Sequence, residues 1–160
     1  MCIRDSLKSQ NISDMMVEIG GEVRVKGHNA QGRIWAIAIE KPKVSADMGE
    51  GIDWVIDLNN QAMATSGDYR SYFEIDGNIY SHEIDPRTGY PSRTGVASAT
   101  VIAPNCTDAD ALATALMLMP IADGLKLVDS IPKTEAFIMI RQPKNRFTYQ
   151  QSSGMNARPY

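Results

Sequence analysis

Asp110 and Thr114 lie four residues apart in a stretch, Asp108 to Met119, whose apolar residues recur at helical spacing. Four apart on a helix puts both side chains on one face, where a carboxylate and a hydroxyl offer two hard oxygen ligands. Such a pair suits magnesium, which takes one or two carboxylates and fills its remaining positions with water and substrate phosphate. The same spacing fits a plain helix start, with Thr107 as N-cap, Asp110 as the capping-box acid and Thr114 bonded back to a carbonyl. Asp108 is a weaker ligand candidate. His82 ends a strand and opens a Pro-containing loop, where an imidazole of ordinary pKa about 6.5 could accept a proton from a hydroxyl nucleophile. A solvated structural histidine is the plainer reading, and the second histidine, His28, lies in a polar loop between Gly27 and Asn29. Thr65-Ser66-Gly67 follows a strand and offers amides and hydroxyls to a phosphate, or else makes an ordinary ST-turn into Asp68.

These residues need supports, and the hydropathy pattern supplies them. Met16 to Ile19, then Gly20-Gly21, then the alternating Glu22 to Lys26 predicts a hairpin or bulged strand. Arg33 to Ile39 predicts a strand apolar on both faces, followed by Lys41-Pro42-Lys43 and a polar loop to about Gly51. Asp53 to Leu58 and Gln61 to Thr65 predict two more strands. Tyr69 to Ile75, Asp76-Gly77 and Asn78 to His82 predict a hairpin with a primed turn. Glu83 to Thr94, with two prolines and a glycine, is expected to be an irregular loop hung on that hairpin. Val96 to Ala103 reads as a buried strand. The Asp108 to Met119 helix carries the apolar stripe Ala109, Leu112, Ala113, Leu116 and Met117 and is stopped by Pro120. A shorter helix over Ile121 to Ser130, weakened by Gly124, a buried strand over Glu135 to Ile140 and an edge strand over Arg146 to Gln150 complete the pattern. Residues 151–160 read as a polar tail. The simplest architecture is one α+β domain with a mainly antiparallel sheet.

Composition agrees with a globular chain. At 160 residues, 43% hydrophobic and 22% charged, the chain is long enough for one domain or most of one. A chain of this size buries roughly 68–70% of its unfolded surface without disulfides or structural zinc. The net charge of −3 gives no basic field for nucleic acid or anionic lipid. No apolar run approaches the ~20 residues that span a bilayer. Two cysteines, Cys2 and Cys106, form neither a disulfide framework nor a metal knuckle. Met1 to Ser6 lack the pattern of a secretory signal and look like the in-frame reading of a transposon end used in sequencing libraries, so fold reasoning starts at Leu7.

Taken in order, Val17-Glu18-Ile19-Gly20-Gly21-Glu22-Val23-Arg24, Ala64-Thr65-Ser66-Gly67-Asp68-Tyr69-Arg70, His82-Glu83-Ile84-Asp85-Pro86-Arg87-Thr88-Gly89-Tyr90-Pro91 and Ala109-Asp110-Ala111-Leu112-Ala113-Thr114-Ala115 resemble the C-terminal half of the FAD:protein FMN transferases, the ApbE family. The resemblance runs from about Leu7 to Ile140, so residues 7–150 are expected to be the C-terminal part of a flavin transferase domain. It implies an α+β fold, Mg²⁺, and FAD as substrate, with FMN passing to a threonine or serine hydroxyl of a partner flavoprotein and AMP leaving. Asp110 and Thr114 then resemble the side-chain metal ligands, with Ala113 near the metal through its backbone. His82 resembles the general base and Ile84 the backbone contact to the flavin, while Thr65, Ser66, Gly67 and Thr88 line the pocket. Family members are about twice this length. By resemblance the absent half carries flavin and adenine contacts, a further metal-site carbonyl from an Asp-and-Lys-Gly segment, and an export signal or lipid anchor for a periplasmic location. A magnesium-dependent FAD diphosphatase, with water replacing the threonine, and a flavin-binding module without turnover are the competing functions.

Overall fold

The computed structural model describes residues 2–42, 52–68, 72–75, 78–143 and 146–160. Its strands begin with the hairpin of β1 (Met15–Ile19) and β2 (Glu22–Lys26), whose register pairs Ile19 with Glu22. The two residues between them, Gly20 and Gly21, have φ of 71° and 107°, the left-handed values that a two-residue primed turn requires. Next come β3 (Trp35–Glu40), β4 (Ile52–Leu58) and β5 (Ala62–Gly67). The expected hairpin is present as β6 (Tyr72–Ile75) and β7 (Asn78–Ser81), with Ile75 opposite Asn78. Its Asp76-Gly77 turn, like the loop expected over residues 43–51, falls outside the described residues.

The Glu83 to Thr94 segment is more ordered than its prolines imply. It contains a small antiparallel ladder of β8 (Ile84–Asp85) and β9 (Tyr90–Pro91), closed by Gly89 at φ 73°. Pro91 sits at the strand end, where a missing N–H costs little. Then follow β10 (Val96–Ala103), β11 (Glu135–Gln142), β12 (Arg146–Gln151) and β13 (Arg158–Pro159). The main sheet has the order β1-β2-β5-β10-β11-β12, with every pairing antiparallel and β12 on the edge. A second sheet has the order β13-β4-β3.

Helix α1 (Cys2–Ser9) forms over most of the residues set aside at the N-terminus and continues through Leu7 to Ser9. Helices α2 (Cys106–Leu118) and α3 (Ile121–Asp129) cover one face of the main sheet, and the β3-β4 layer covers the other. The pleat sorts the side chains. Ala99, Val101, Ala136 and Ile138 meet the helices, while Ile102, Phe137 and Met139 meet Ile39, Ile56 and Leu58. This double burial explains why all eight residues of β10 are buried, the small polar Ser98 and Thr100 included. Gly124 of α3 is buried because a Cβ there would lie 2.5 Å from Leu116 Cδ2, so the glycine permits the close approach of the two helices.

The C-terminal segment is not a free tail. Ser152 is buried, its hydroxyl accepting from the Ala136 amide at 2.8 Å, and Met155 packs in the second core. β13 adds to β4, pairing Pro159 with Trp54. Among the described residues no helix is long and apolar enough to cross a membrane.

Candidate active site

The site is built around α2. Its N-cap is Asn105, not Thr107: the backbone there is extended, and the side-chain oxygen accepts from the Asp108 amide at 3.0 Å. The Asn105 amide group in turn donates to the Asp108 carboxylate at 2.7 Å. The reciprocal cap therefore uses Asp108, three residues on, and leaves Asp110 out of it. Asp110 is exposed and makes no hydrogen bond or ion pair among the described residues. One turn further, the exposed Thr114 hydroxyl lies 3.1 Å from the Ser66 hydroxyl of β5. This contact exists because β5 runs beside β10 with Ser66 on the helix side of the sheet.

The pleat divides the Thr65-Ser66-Gly67 trio. Thr65 faces the opposite way, bonds the Thr100 hydroxyl at 2.8 Å and lines a cavity of about 620 Å³ with Trp35 and Met63. Gly67 lies opposite Ser98 in the ladder. The trio is thus the end of a strand rather than a free phosphate-cradling turn. Ala113 is fully buried in the core beneath α2, unlike its exposed neighbours Asp110 and Thr114, and its carbonyl falls within the i→i+4 ladder of the helix.

The loop that begins at His82 is fastened to the other end of α2. The last turn of the helix carries no basic residue of its own, and Met119 is extended before Pro120. Its last carbonyls find partners in the loop instead. Ser92 and Thr94 hydroxyls both donate to the Met117 carbonyl at 2.8 Å, and Arg87 donates to the Leu118 carbonyl at 3.0 Å. Asp85 holds the Arg87 guanidinium at 2.8 Å, and this hydrogen bond keeps the Asp85 carboxyl below the usual carboxylate range. Thr88 is engaged in the turn, accepting from the Tyr90 amide at 3.2 Å. It lines a cavity of about 430 Å³ with Asp85, Tyr90 and Arg93. Ile84 is 48% exposed, and His82 is exposed two residues before it. His28 is remote from this loop in sequence, and its amide donates to Asp14 at 2.7 Å.

Asp110 lines a different cavity, of about 390 Å³, with Arg24, Glu22 and Cys106. Burial pushes the Arg24 guanidinium pKa down and the Cys106 thiol up. The structure therefore brings Asp110, Thr114 and Ser66 to one stretch of α2 and ties the Thr88 loop to the end of the same helix, while Asp110 and Thr88 open onto separate cavities. Among the described residues no three His, Cys, Asp or Glu side chains converge closely enough to hold a metal ion by themselves. Asp110 and Thr114, a carboxylate and a hydroxyl one helical turn apart, are nonetheless a hard-oxygen donor pair that fits magnesium, which needs few protein ligands when substrate phosphate supplies others. Asn105, Arg87 and the Asp68–Arg141 ion pair were missed from sequence. The first was readable as Asn-x-x-Asp spacing, whereas the others join residues distant along the chain or act through a backbone carbonyl.

The ApbE family model matches residues 2–138. The chain is similar to the FAD:protein FMN transferase of Haemophilus influenzae, 42% identical over 151 residues, covering 94% of this chain and 42% of the relative. It is 48% identical over 128 residues to the FAD:protein FMN transferase of Vibrio cholerae, covering 80% of this chain and 37% of that one. The solved structure of the flavin transferase ApbE from Vibrio cholerae superposes with a TM-score of 0.78 at 41% identity, over 95% of this chain and 46% of that chain. The chain thus spans about two fifths of the length of these curated relatives. With a family match across most of its length, and the α+β fold of the solved relatives, this chain belongs to the ApbE family.

Proposed function

We propose that this chain carries the catalytic helix and loop of a magnesium-dependent FAD:protein FMN transferase, which moves FMN from FAD to a threonine or serine hydroxyl of a partner flavoprotein and releases AMP. The observation that carries the proposal is the 3.1 Å contact between Ser66 and Thr114, one helical turn beyond an Asp110 that the helix cap does not use. The flavin transferase activity named for the relatives in Haemophilus influenzae and Vibrio cholerae supports the reaction class.

In this reading Asp110 and Thr114 hold the metal, and Ser66 orients the Thr114 hydroxyl. Bound magnesium would neutralise charge on the diphosphate. Gly67, Thr88 and the Ile84 backbone line the flavin side of the pocket. The carbonyl of Ala113 contributes only if the helix ladder yields it. His82, in its neutral form, takes the proton of the attacking hydroxyl. The acceptor oxygen bonds to the FMN phosphorus, the bridging P–O bond breaks, and its electron pair leaves on AMP.

The test is AMP release from FAD and Mg²⁺, with and without an acceptor protein bearing the target threonine. The chain is assayed alone and in place of the matching segment of the Vibrio cholerae relative. AMP together with acceptor-bound flavin is the expected result. AMP without acceptor assigns the chain a diphosphatase activity, and no AMP in either format reduces it to a binding module; both overturn the proposal.

A further inference from the structure

Asp68 and Arg141 form an ion pair at 2.6 Å between residues 73 apart in sequence, with side chains only 13% and 20% exposed. β5 and β11 flank β10, so the pair crosses over the first residues of β10. The backbone reinforces the crossing: the Asp68 amide donates to the Ala97 carbonyl at 3.0 Å, and the Arg141 amide to the Gly95 carbonyl at 2.9 Å. Both residues therefore grip the segment where the His82 loop rejoins the sheet, just after Thr94 has bonded the end of α2. Asp68 also sits two residues beyond Ser66.

We propose that the Asp68–Arg141 pair is a positioning clasp, which holds the Ser66 end of β5 in register with both Thr114 and the His82 loop. The clasp rests on the metal and flavin reading above, since that reading makes the register matter. Its burial is uncommon for a surface strand end: desolvation raises the Asp68 carboxyl pKa, and Arg141 Nε is buried without a hydrogen-bond partner among the described residues. A pair kept under those conditions is expected to fix geometry more than to add stability. Neither residue touches the candidate metal ligands directly in any described contact, so the action is through β5 and β10.

The experiment measures Mn²⁺ binding to the full chain by electron paramagnetic resonance, as a stand-in for Mg²⁺, with hydrogen exchange read on peptides covering residues 62–68 and 83–97. Asp68→Asn and Arg141→Gln are compared with Val128→Ala, a core truncation in α3 that removes none of the clasp's hydrogen bonds, at matched loss of thermal stability. The two clasp variants should each weaken Mn²⁺ by up to about tenfold, the low end of what loss of a partner bonded directly to a ligand costs, and raise exchange in both peptides. The double variant should be no worse than either single one. Val128→Ala should do neither. Retained Mn²⁺ affinity in Asp68→Asn overturns the clasp. If the unmodified chain binds no Mn²⁺, the metal reading fails, and unchanged exchange in the two peptides then overturns the clasp on its own.

Discussion

Two aspartates two residues apart on α2 should have opposite phenotypes. Asp108 is the N3 acid of a reciprocal cap, receiving the Asn105 amide at 2.7 Å while its own amide donates to Asn105 at 3.0 Å. Asp108→Asn removes the charge that faces the positive end of the helix, worth about 0.3–1 kcal/mol, and weakens the side-chain half of the cap by a few tenths more. A total near 1 kcal/mol would lower the melting temperature by about 2–4 °C in a chain of this size. Asp110 lies beyond the first turn and makes no described hydrogen bond, so Asp110→Asn should change stability by less than about 0.5 kcal/mol. Metal binding should reverse the order. Asp110→Asn removes the one carboxylate of the proposed donor set and should reduce Mn²⁺ affinity by more than the ten- to hundredfold typical of outer-shell partners, whereas Asp108→Asn should leave it close to wild type. Urea unfolding and Mn²⁺ titration on the same preparations measure both. Equal destabilisation by the two substitutions, or unchanged Mn²⁺ affinity in Asp110→Asn, would refute the assignment of cap and ligand.

Acid sensitivity should also be local. Because Arg87 depresses the Asp85 pKa, that group stabilises the fold above the ordinary aspartate value of about 3.9, and the contribution is lost as pH falls through its lower folded value. The gap in urea midpoint between wild type and Asp85→Asn should close on acidification below about pH 4; a gap constant down to about pH 2 would contradict it. Gly124→Ala should destabilise by about 1 kcal/mol or more, because the added carbon meets the buried Leu116 at 2.5 Å. In a Leu116→Ala background the same change should become stabilising by up to about 1 kcal/mol through helix propensity, a sign reversal visible in urea midpoints. Phe137→Ala should cost about 3–5 kcal/mol and shift Trp54 emission, since the two rings lie 5.0 Å apart.

Local chemistry was legible along the chain. The Gly20-Gly21 hairpin, the β6-β7 pair, the buried β10 and the stripe of α2 all follow from short-range period and turn residues, which act before any long-range contact forms. Residue types at Asp110, Thr114 and His82 were likewise visible, and so was the family. The N-cap was misread because Thr107 and Asn105 both have capping side chains. The end of β10 at Ala103 and the extended backbone at Asn105 decide between them. Tertiary structure alone decided that Ser66 meets Thr114 while adjacent Thr65 faces Thr100, since a one-residue step on a strand reverses the face and only sheet order says what lies there. It alone fastened the His82 loop to the α2 carbonyls and joined Asp68 to Arg141, because those partners are found by packing rather than by proximity in sequence.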